Sequence, residues 1–233
     1  MKGENTFYCR YIKRVLDIIC ALLAMIVFCW LYAVVAILVR IKLGSPVIFK
    51  QERPGEDEKI FTLYKFRTMT DARDENGSLL PDDMRLTKFG RRLRNTSLDE
   101  LPEALNILKG DMSVIGPRPQ LVRDMVFMTQ EQRRRHCVRP GLSGWAQING
   151  RNCIEWEDKF MYDLEYIKNV SFWIDVKIVI ITVVKVFKSE SINFEGMATA
   201  EDYGDYLLRT GKIERIEYNT RQRESKERIA AGR

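Results

Sequence analysis

The feature that most constrains this chain is a stretch without a single charge, from Ile18 to Val39. As a helix rising 1.5 Å per residue, it would run roughly 33 Å, about the thickness of a bilayer core. A signal peptide fits poorly, because the apolar run is too long and no small-residue cleavage site follows it. A helix buried in a soluble core is the remaining alternative. Basic residues flank the run on both sides: Arg10, Lys13 and Arg14 before it, Arg40 and Lys42 after it. Positive residues prefer the cytoplasmic side. A straight span would put one cluster on the wrong side, whereas a helix that enters, bends and returns keeps both inside. Such a bend usually needs Pro or Gly, and this run has neither. Spanning and re-entrant readings both stay open on these residues.

The rest of the chain must be a folded body. With 233 residues there is room for one substantial domain and an anchor. The net charge of +6 favours anionic partners, whether phosphates, nucleic acid or acidic lipid headgroups. The five cysteines form no CxxC pair and are odd in number, which argues against a disulfide framework or a zinc site and for reduced thiols facing the cytoplasm. The one histidine, His136, excludes a His-rich metal site. Any metal must rely on carboxylates or substrate phosphates, which suits magnesium.

Gly44-Ser45-Pro46 ends the anchor as a turn signal. Val47-Ile48-Phe49 and the partly alternating run Ile60 to Met69 predict strands. Asp71 to Asp83 predicts an exposed loop. Leu86 to Leu108 predicts helix with a break near Thr96-Ser97, and Leu121 to His136 a further helix ending in a basic turn. Gly116-Pro117-Arg118-Pro119 is rigid and cannot be helix interior. Pro140 to Gly150 predicts a loop whose glycines let backbone approach a ligand. Ser171 to Phe187 predicts a core or membrane-surface helix. Ile213 to Arg233 predicts a frayed helix or a disordered tail.

Three groups of residues could carry chemistry. Ser97-Leu98-Asp99-Glu100 has the pattern of a capping box, with acids in the first helical turn. Its functional reading gives the two carboxylates different tasks, since neighbouring helical side chains point about 100° apart. One could attack phosphorus while the other holds a metal. The second group is basic: Lys65, Arg67, Arg91, Arg92, Arg94, Arg118, Arg139 and Arg151. Surface charge explains any one arginine, but Arg118 sits between two prolines that pre-aim its guanidinium fork, and Arg151 follows a glycine-rich turn. Arg133-Arg134-Arg135 with His136 reads instead as a solvated or headgroup-facing helix end. The third group, Gly144 to Arg151, mixes aromatic, amide and basic groups in a way that suits a nucleotide or sugar. No Walker A loop, GxGxxG fingerprint or GxSxG elbow is present.

Taken in order, these stretches resemble the monotopic phosphoglycosyl transferases of the bacterial sugar transferase family. The matching pieces are Lys13-Arg14-Val15-Leu16-Asp17, Pro46 to Gln51 with Arg53-Pro54-Gly55, and Tyr64-Lys65-Phe66-Arg67-Thr68-Met69. They continue with Ser97 to Pro102, Lys109-Gly110-Asp111-Met112-Ser113, Gly116-Pro117-Arg118-Pro119, and Arg139-Pro140-Gly141 through Arg151. The resemblance covers about residues 10 to 190. It implies an α+β fold: a compact helix-rich catalytic domain with an N-terminal re-entrant membrane helix and membrane-surface helices. The implied domains are an anchor (1–43), a catalytic domain (44–200) and a polar tail (201–233). By the resemblance, Asp99 is the nucleophile and Glu100 holds Mg2+, while Lys65, Arg94, Arg118 and Arg151 lie near the phosphates. The family's re-entrant helix usually breaks at Ser-Pro, where this chain has Cys29-Trp30.

The implied activity is transfer of a sugar 1-phosphate from a UDP-sugar to polyprenyl phosphate, releasing UMP through an aspartyl-phosphosugar intermediate. The expected place is the bacterial inner membrane, with the catalytic domain facing the cytoplasm. Expected partners are the UDP-sugar, polyprenyl phosphate and membrane lipid, with no nucleic acid; homo-oligomerisation stays open. Two other readings of the same residues are a metal-assisted phosphatase and a non-enzymatic basic membrane adaptor. No residue read here selects the sugar.

Overall fold

The computed structural model describes residues 6–150, 154–187 and 201–232. Arg151 and Cys153 therefore lie outside the described residues. The uncharged run forms two helices, α1 (Lys13–Val27) and α2 (Cys29–Leu43), with a π-helical turn at Tyr8–Ile12 leading into the first. They meet at Phe28, whose φ of −100° and ψ of 13° leave the helical region, and the arms are bent by 66°. Among the described residues no single helix is long and apolar enough to cross a membrane, though the bent pair together passes on length and composition.

The bend forms without the proline or glycine that sequence reasoning asked for, because each arm is fixed to the body separately. On α1, Asp17 is buried and accepts from Ser113 Oγ at 3.0 Å and Val114 N at 2.9 Å. Arg14 donates to the carbonyls of Ile107 and Leu108 at 2.6 and 2.9 Å, in the last turn of a helix where carbonyls lack intrahelical partners. Lys13 and Tyr8 both reach Asp175, at 2.6 and 2.7 Å. On α2, the Tyr32 hydroxyl donates to the Leu101 carbonyl, and Val35, Val39 and Leu43 pack against Phe66 and Leu93.

β1 (Ile48–Pro54) and β2 (Ile60–Phe66) form an antiparallel hairpin, pairing Ile48 with Phe66 and Pro54 with Ile60. After the polar loop come α3 (Asp82–Arg85), α4 (Lys88–Asn95) and α5 (Glu103–Lys109), with a 3-10 turn at Leu98–Glu100 across the expected break. Gly110 ends α5 at φ 95°, a left-handed backbone that glycine adopts without a Cβ penalty. β3 (Ser113–Ile115) pairs in parallel with β4 (Gly141–Ser143). The Gly141 backbone lies so close to that of Gly116 that an added Cβ would stand 2.0 Å from the Gly116 nitrogen. Pro140 to Gly150 is thus part strand and part helix, α8 (Trp145–Asn149), and the close approach is between two strands' backbones.

Leu121 to His136 is not one helix. The chain forms α6 (Val122–Met125), α7 (Gln130–Arg133) and a 3-10 turn at Arg134–Cys137. Thr129 starts α7 afresh: its hydroxyl accepts from Gln132 N at 3.2 Å, and the Gln132 side chain accepts from Thr129 N at 2.8 Å, a capping box that interrupts any longer helix. The last elements are α9 (Trp156–Asn169), α10 (Phe172–Phe187), α11 (Tyr203–Arg209) and α12 (Arg215–Ala231). The tail is therefore helical and docked. Tyr203 and Leu207 are buried with Phe127, Trp156 and Phe160, and Arg221 on α12 donates to the Val126 carbonyl at 2.6 Å. Large apolar side chains stand outward near the bend of the α1–α2 pair (the N-terminal hairpin), namely Ile26, Val27 and Trp30, and on α10, Trp173 and Ile180. The architecture is helix-rich with two small sheets, compatible with the expected α+β class.

Candidate active site

The site is assembled where β2 faces the turn between α4 and α5. Asn106, fully buried on α5, donates to the Thr62 carbonyl at 2.7 Å and accepts from Tyr64 N at 3.1 Å. That bridge fixes α5 against β2 one residue before Lys65. Strand alternation buries Phe66 in the core beside α2 and leaves Lys65 to face the acidic turn.

Ser97 leads into that turn with φ 54° and makes no capping bond. The capping-box reading fails here, because an N-cap residue has extended backbone whereas Ser97 is left-handed. A non-glycine residue in this region costs roughly 1–3 kcal/mol. The twist sends Leu98-Asp99-Glu100 back across Lys65.

The adjacent carboxylates are held very differently. Glu100 Oε1 accepts from Lys65 Nζ at 2.8 Å and from Arg118 at 2.5 Å. Asp99 is 7% exposed and has no ion-pair partner within 4 Å among the described residues. Burial, and then the Glu100 charge, push the Asp99 carboxyl up to about 7 against the pull of Lys65, Arg94 and Arg118. Burial acts on Glu100 too, but Arg118 and Lys65 outweigh it and hold that carboxyl well below its usual range. Glu103, one helical turn on, lies 3.0 Å from Lys65 Nζ; burial raises it despite Lys65. The Lys65 ammonium is raised because Glu100 and Glu103 together exceed its burial.

Two further cations complete the site. Arg94 on α4 donates from Nε to Thr68 Oγ1 at 3.0 Å and its charge acts on Asp99. Arg118 extends from the proline-flanked loop after β3. Five of the six residues expected near the chemistry, Asp99, Glu100, Lys65, Arg94 and Arg118, thus come together; the sixth, Arg151, lies outside the described residues. Other members of the basic set do not join them. Arg67 is buried on the carbonyls of Met69 and Ser45, Arg139 pairs with Glu56, and Arg91 and Arg92 are exposed. The basic turn is not solvated as expected: Arg135 and His136 are buried, and Arg133 makes two 2.6 Å bonds to Glu58.

Glu103 and Arg53 were not singled out in the sequence. Glu103 had a signal, its i,i+4 spacing from Asp99. Arg53, which donates to the Pro119 carbonyl at 3.0 Å, stood in the Arg53-Pro54-Gly55 motif, but nothing local linked it to the Arg118 loop.

Among the described residues no three His, Cys, Asp or Glu side chains converge to cage a metal. Magnesium needs no such cage, being held by one or two carboxylates with waters and substrate phosphates. The donor set fits that mode. Both bonds to Glu100 fall on Oε1, which leaves Oε2 without a hydrogen bond among the described residues.

Comparison with known proteins places these features in context. The chain is 52% identical over 192 residues to the uncharacterized sugar transferase EpsL of Bacillus subtilis, covering 82% of this chain and 95% of that protein. It is 40% identical over 184 residues to the UDP-N-acetylgalactosamine-undecaprenyl-phosphate N-acetylgalactosaminephosphotransferase of Aeromonas hydrophila, covering 74% of this chain and 43% of that protein. It is also 40% identical over 192 residues to the UDP-glucose:undecaprenyl-phosphate glucose-1-phosphate transferase of Escherichia coli, covering 78% of this chain and 41% of that protein. The chain thus spans nearly all of one relative and about two fifths of the other two. The family profile for bacterial sugar transferases matches residues 8–189, and the chain belongs to that family.

Proposed function

We propose that this chain transfers a sugar 1-phosphate from a UDP-sugar to undecaprenyl phosphate or a similar polyprenyl phosphate, releasing UMP. The relatives' names supply the substrate class. The observation that carries the two-step form is the unequal holding of neighbouring carboxylates: Glu100 is clamped by two cations, and Asp99 has no ion-pair partner among the described residues.

An Asp99 carboxylate oxygen attacks the β-phosphorus of the donor. The bond from that phosphorus to the bridging oxygen breaks, UMP leaves with the electron pair, and the sugar phosphate stays on Asp99. A phosphate oxygen of the lipid then attacks the same phosphorus, and Asp99 departs as a carboxylate. Two easier displacements replace one difficult encounter of anions. Arg118, Arg94 and Lys65 offset the phosphate charge in both steps. Glu100 would hold magnesium, which would supply further charge neutralisation when bound.

The bent pair α1–α2 enters the cytoplasmic leaflet and returns in this reading. That places Arg10, Lys13 and Arg14 on the same side as Arg40 and Lys42 and puts the catalytic domain in the cytoplasm, in agreement with the preference of positive charge for that side. Outward Ile26 and Trp30 would lie in lipid. The anchor would be residues 1–43 and the catalytic domain 44–200, with α11 and α12 of segment 201–233 folded back onto it.

The test is product analysis. Purified protein, magnesium, a panel of UDP-sugars and polyprenyl phosphate should give a polyprenyl-diphosphate sugar and UMP from at least one donor. Free sugar phosphate formed regardless of lipid would instead identify a phosphatase, and no turnover of any donor would favour the adaptor.

A further inference from the structure

The loop that carries Arg118 is poor in backbone donors, since Pro117 and Pro119 have no N–H. Beyond Gly116, whose N–H donates to the Ser143 carbonyl at 2.9 Å, it is held by its carbonyls. That of Pro117 accepts from Gly141 N at 2.9 Å, that of Arg118 from Arg135 at 2.7 Å, and that of Pro119 from Arg53 at 3.0 Å. Three consecutive acceptors are thus fixed from three separate parts of the chain.

The middle contact is the most enclosed. The Arg135 side chain is 2% exposed and its partner Asp163 is 3% exposed. Asp163 Oδ2 accepts from Arg135 Nε at 2.9 Å, while a terminal nitrogen of the same guanidinium reaches the Arg118 carbonyl. A guanidinium is a planar fork with fixed donor directions. Once Asp163 on α9 sets the plane, the position of the Arg118 backbone is set with it. The Arg118 side chain in turn grips Glu100 at 2.5 Å, so a displaced loop would move the cation off the site.

We propose that Arg135, oriented by Asp163, is a positioning residue for catalysis: it fixes the loop from which Arg118 reaches Glu100 and the donor phosphate. The inference rests on the transferase reading above. Lysine at position 135 keeps the charge opposite Asp163 but lacks the fork that serves both partners.

The experiment is a double-mutant cycle on the full chain in detergent, using a UDP-sugar that the wild type accepts. Arg135→Lys should lower kcat/KM about tenfold, in line with the cost of a small misplacement at a reacting centre, and leave Tm within a few degrees. Arg118→Ala should lower kcat/KM about a hundredfold, as for loss of one charge-stabilising donor. The double variant should match Arg118→Ala within about a factor of two, because coupled residues do not add. Asp163→Asn, which is isosteric, should show the same non-additivity with Arg118→Ala. Multiplying losses in the double variants would overturn the proposal. So would loss of the folded state in both Arg135→Lys and Asp163→Asn, which would show that the pair holds the fold rather than the loop's aim. Failure of the transferase reading shows separately, as a wild type that turns over no UDP-sugar.

Discussion

The N-terminal hairpin and the catalytic turn both place polar groups where water is scarce, yet they treat them oppositely. In the hairpin each inward polar group described above has a fixed partner: Asp17 has Ser113 and Val114, Arg14 has two helix-end carbonyls, and Lys13 and Tyr8 share Asp175. At the catalytic turn Glu100 Oε1 is held by two cations, but Asp99 beside it is buried without an ion pair among the described residues. A satisfied buried network rigidifies, whereas an unsatisfied group is held at a cost. The difference separates anchoring from reactivity: the hairpin's charges are spent on position, and the one left over is free to react.

That contrast can be broken at either end. The largest effect should follow from Asp99→Asn, which keeps the shape and removes the nucleophile; lipid-dependent turnover should fall by about 10^4-fold or more, with Tm unchanged or raised. Turnover within tenfold of wild type would dissolve the distinction. At the other end, Asp17→Ala leaves the Ser113 hydroxyl and Val114 N–H buried without an acceptor. It should cost about 3 kcal/mol of stability, read by denaturation in detergent, with kcat/KM of the folded fraction changed far less. Equal damage to rate and stability would mean that anchor and site are not separable.

A topological prediction sharpens the anchoring half. With the native cysteines replaced, a cysteine at position 5 should resist an impermeant thiol reagent applied outside intact cells, and labelling there would instead indicate a full span. The smallest effect concerns His136. Burial, and then the Arg135 charge, push its imidazole down to about 3; its Nδ1 lies 3.1 Å from the Arg133 carbonyl and 3.9 Å from Glu58. The folded state therefore favours neutral imidazole. As pH falls below the ordinary value of 6.5 toward 3, the unfolded chain takes up a proton that the folded chain refuses, so this contribution to stability is lost. Between pH 6.5 and 5.5 the loss should be about 1 kcal/mol, bounded by 1.4 kcal/mol per pH unit. His136→Gln should flatten the curve by that amount; parallel curves would place the imidazole in water.

What could be read from the sequence was what local pattern encodes. The strands after Pro46 and Gly55, the break at Thr96-Ser97, and an apolar helical segment from Ile18 to Val39 all follow from turn residues and periodicity. The grouping of Lys65, Arg94, Asp99, Glu100 and Arg118 was implied only by the family resemblance that the order of the motifs carries. Long-range partners were not legible. Arg135 looks like a solvated turn until Asp163, on another helix, appears beside it, and Arg133 until Glu58 does. The bend at Phe28 has no local cause; it comes from anchoring contacts to residues 66 to 114. Ser97 matches a capping box in letters, but its left-handed backbone forbids the bond. The tail composition suggested disorder, yet α12 docks through Arg221 on the Val126 carbonyl and stacking of Tyr218 on Phe127.

The most direct test of the central claim omits the acceptor. Purified protein mixed with magnesium and each UDP-sugar, without polyprenyl phosphate, is examined by intact mass and by UMP release. A reactive Asp99 predicts a sugar-phosphate adduct with stoichiometric UMP for a usable donor, and neither in Asp99→Asn. Lipid-dependent turnover with no adduct and no burst from any donor would contradict it, pointing to direct transfer and removing Asp99 from the nucleophile role.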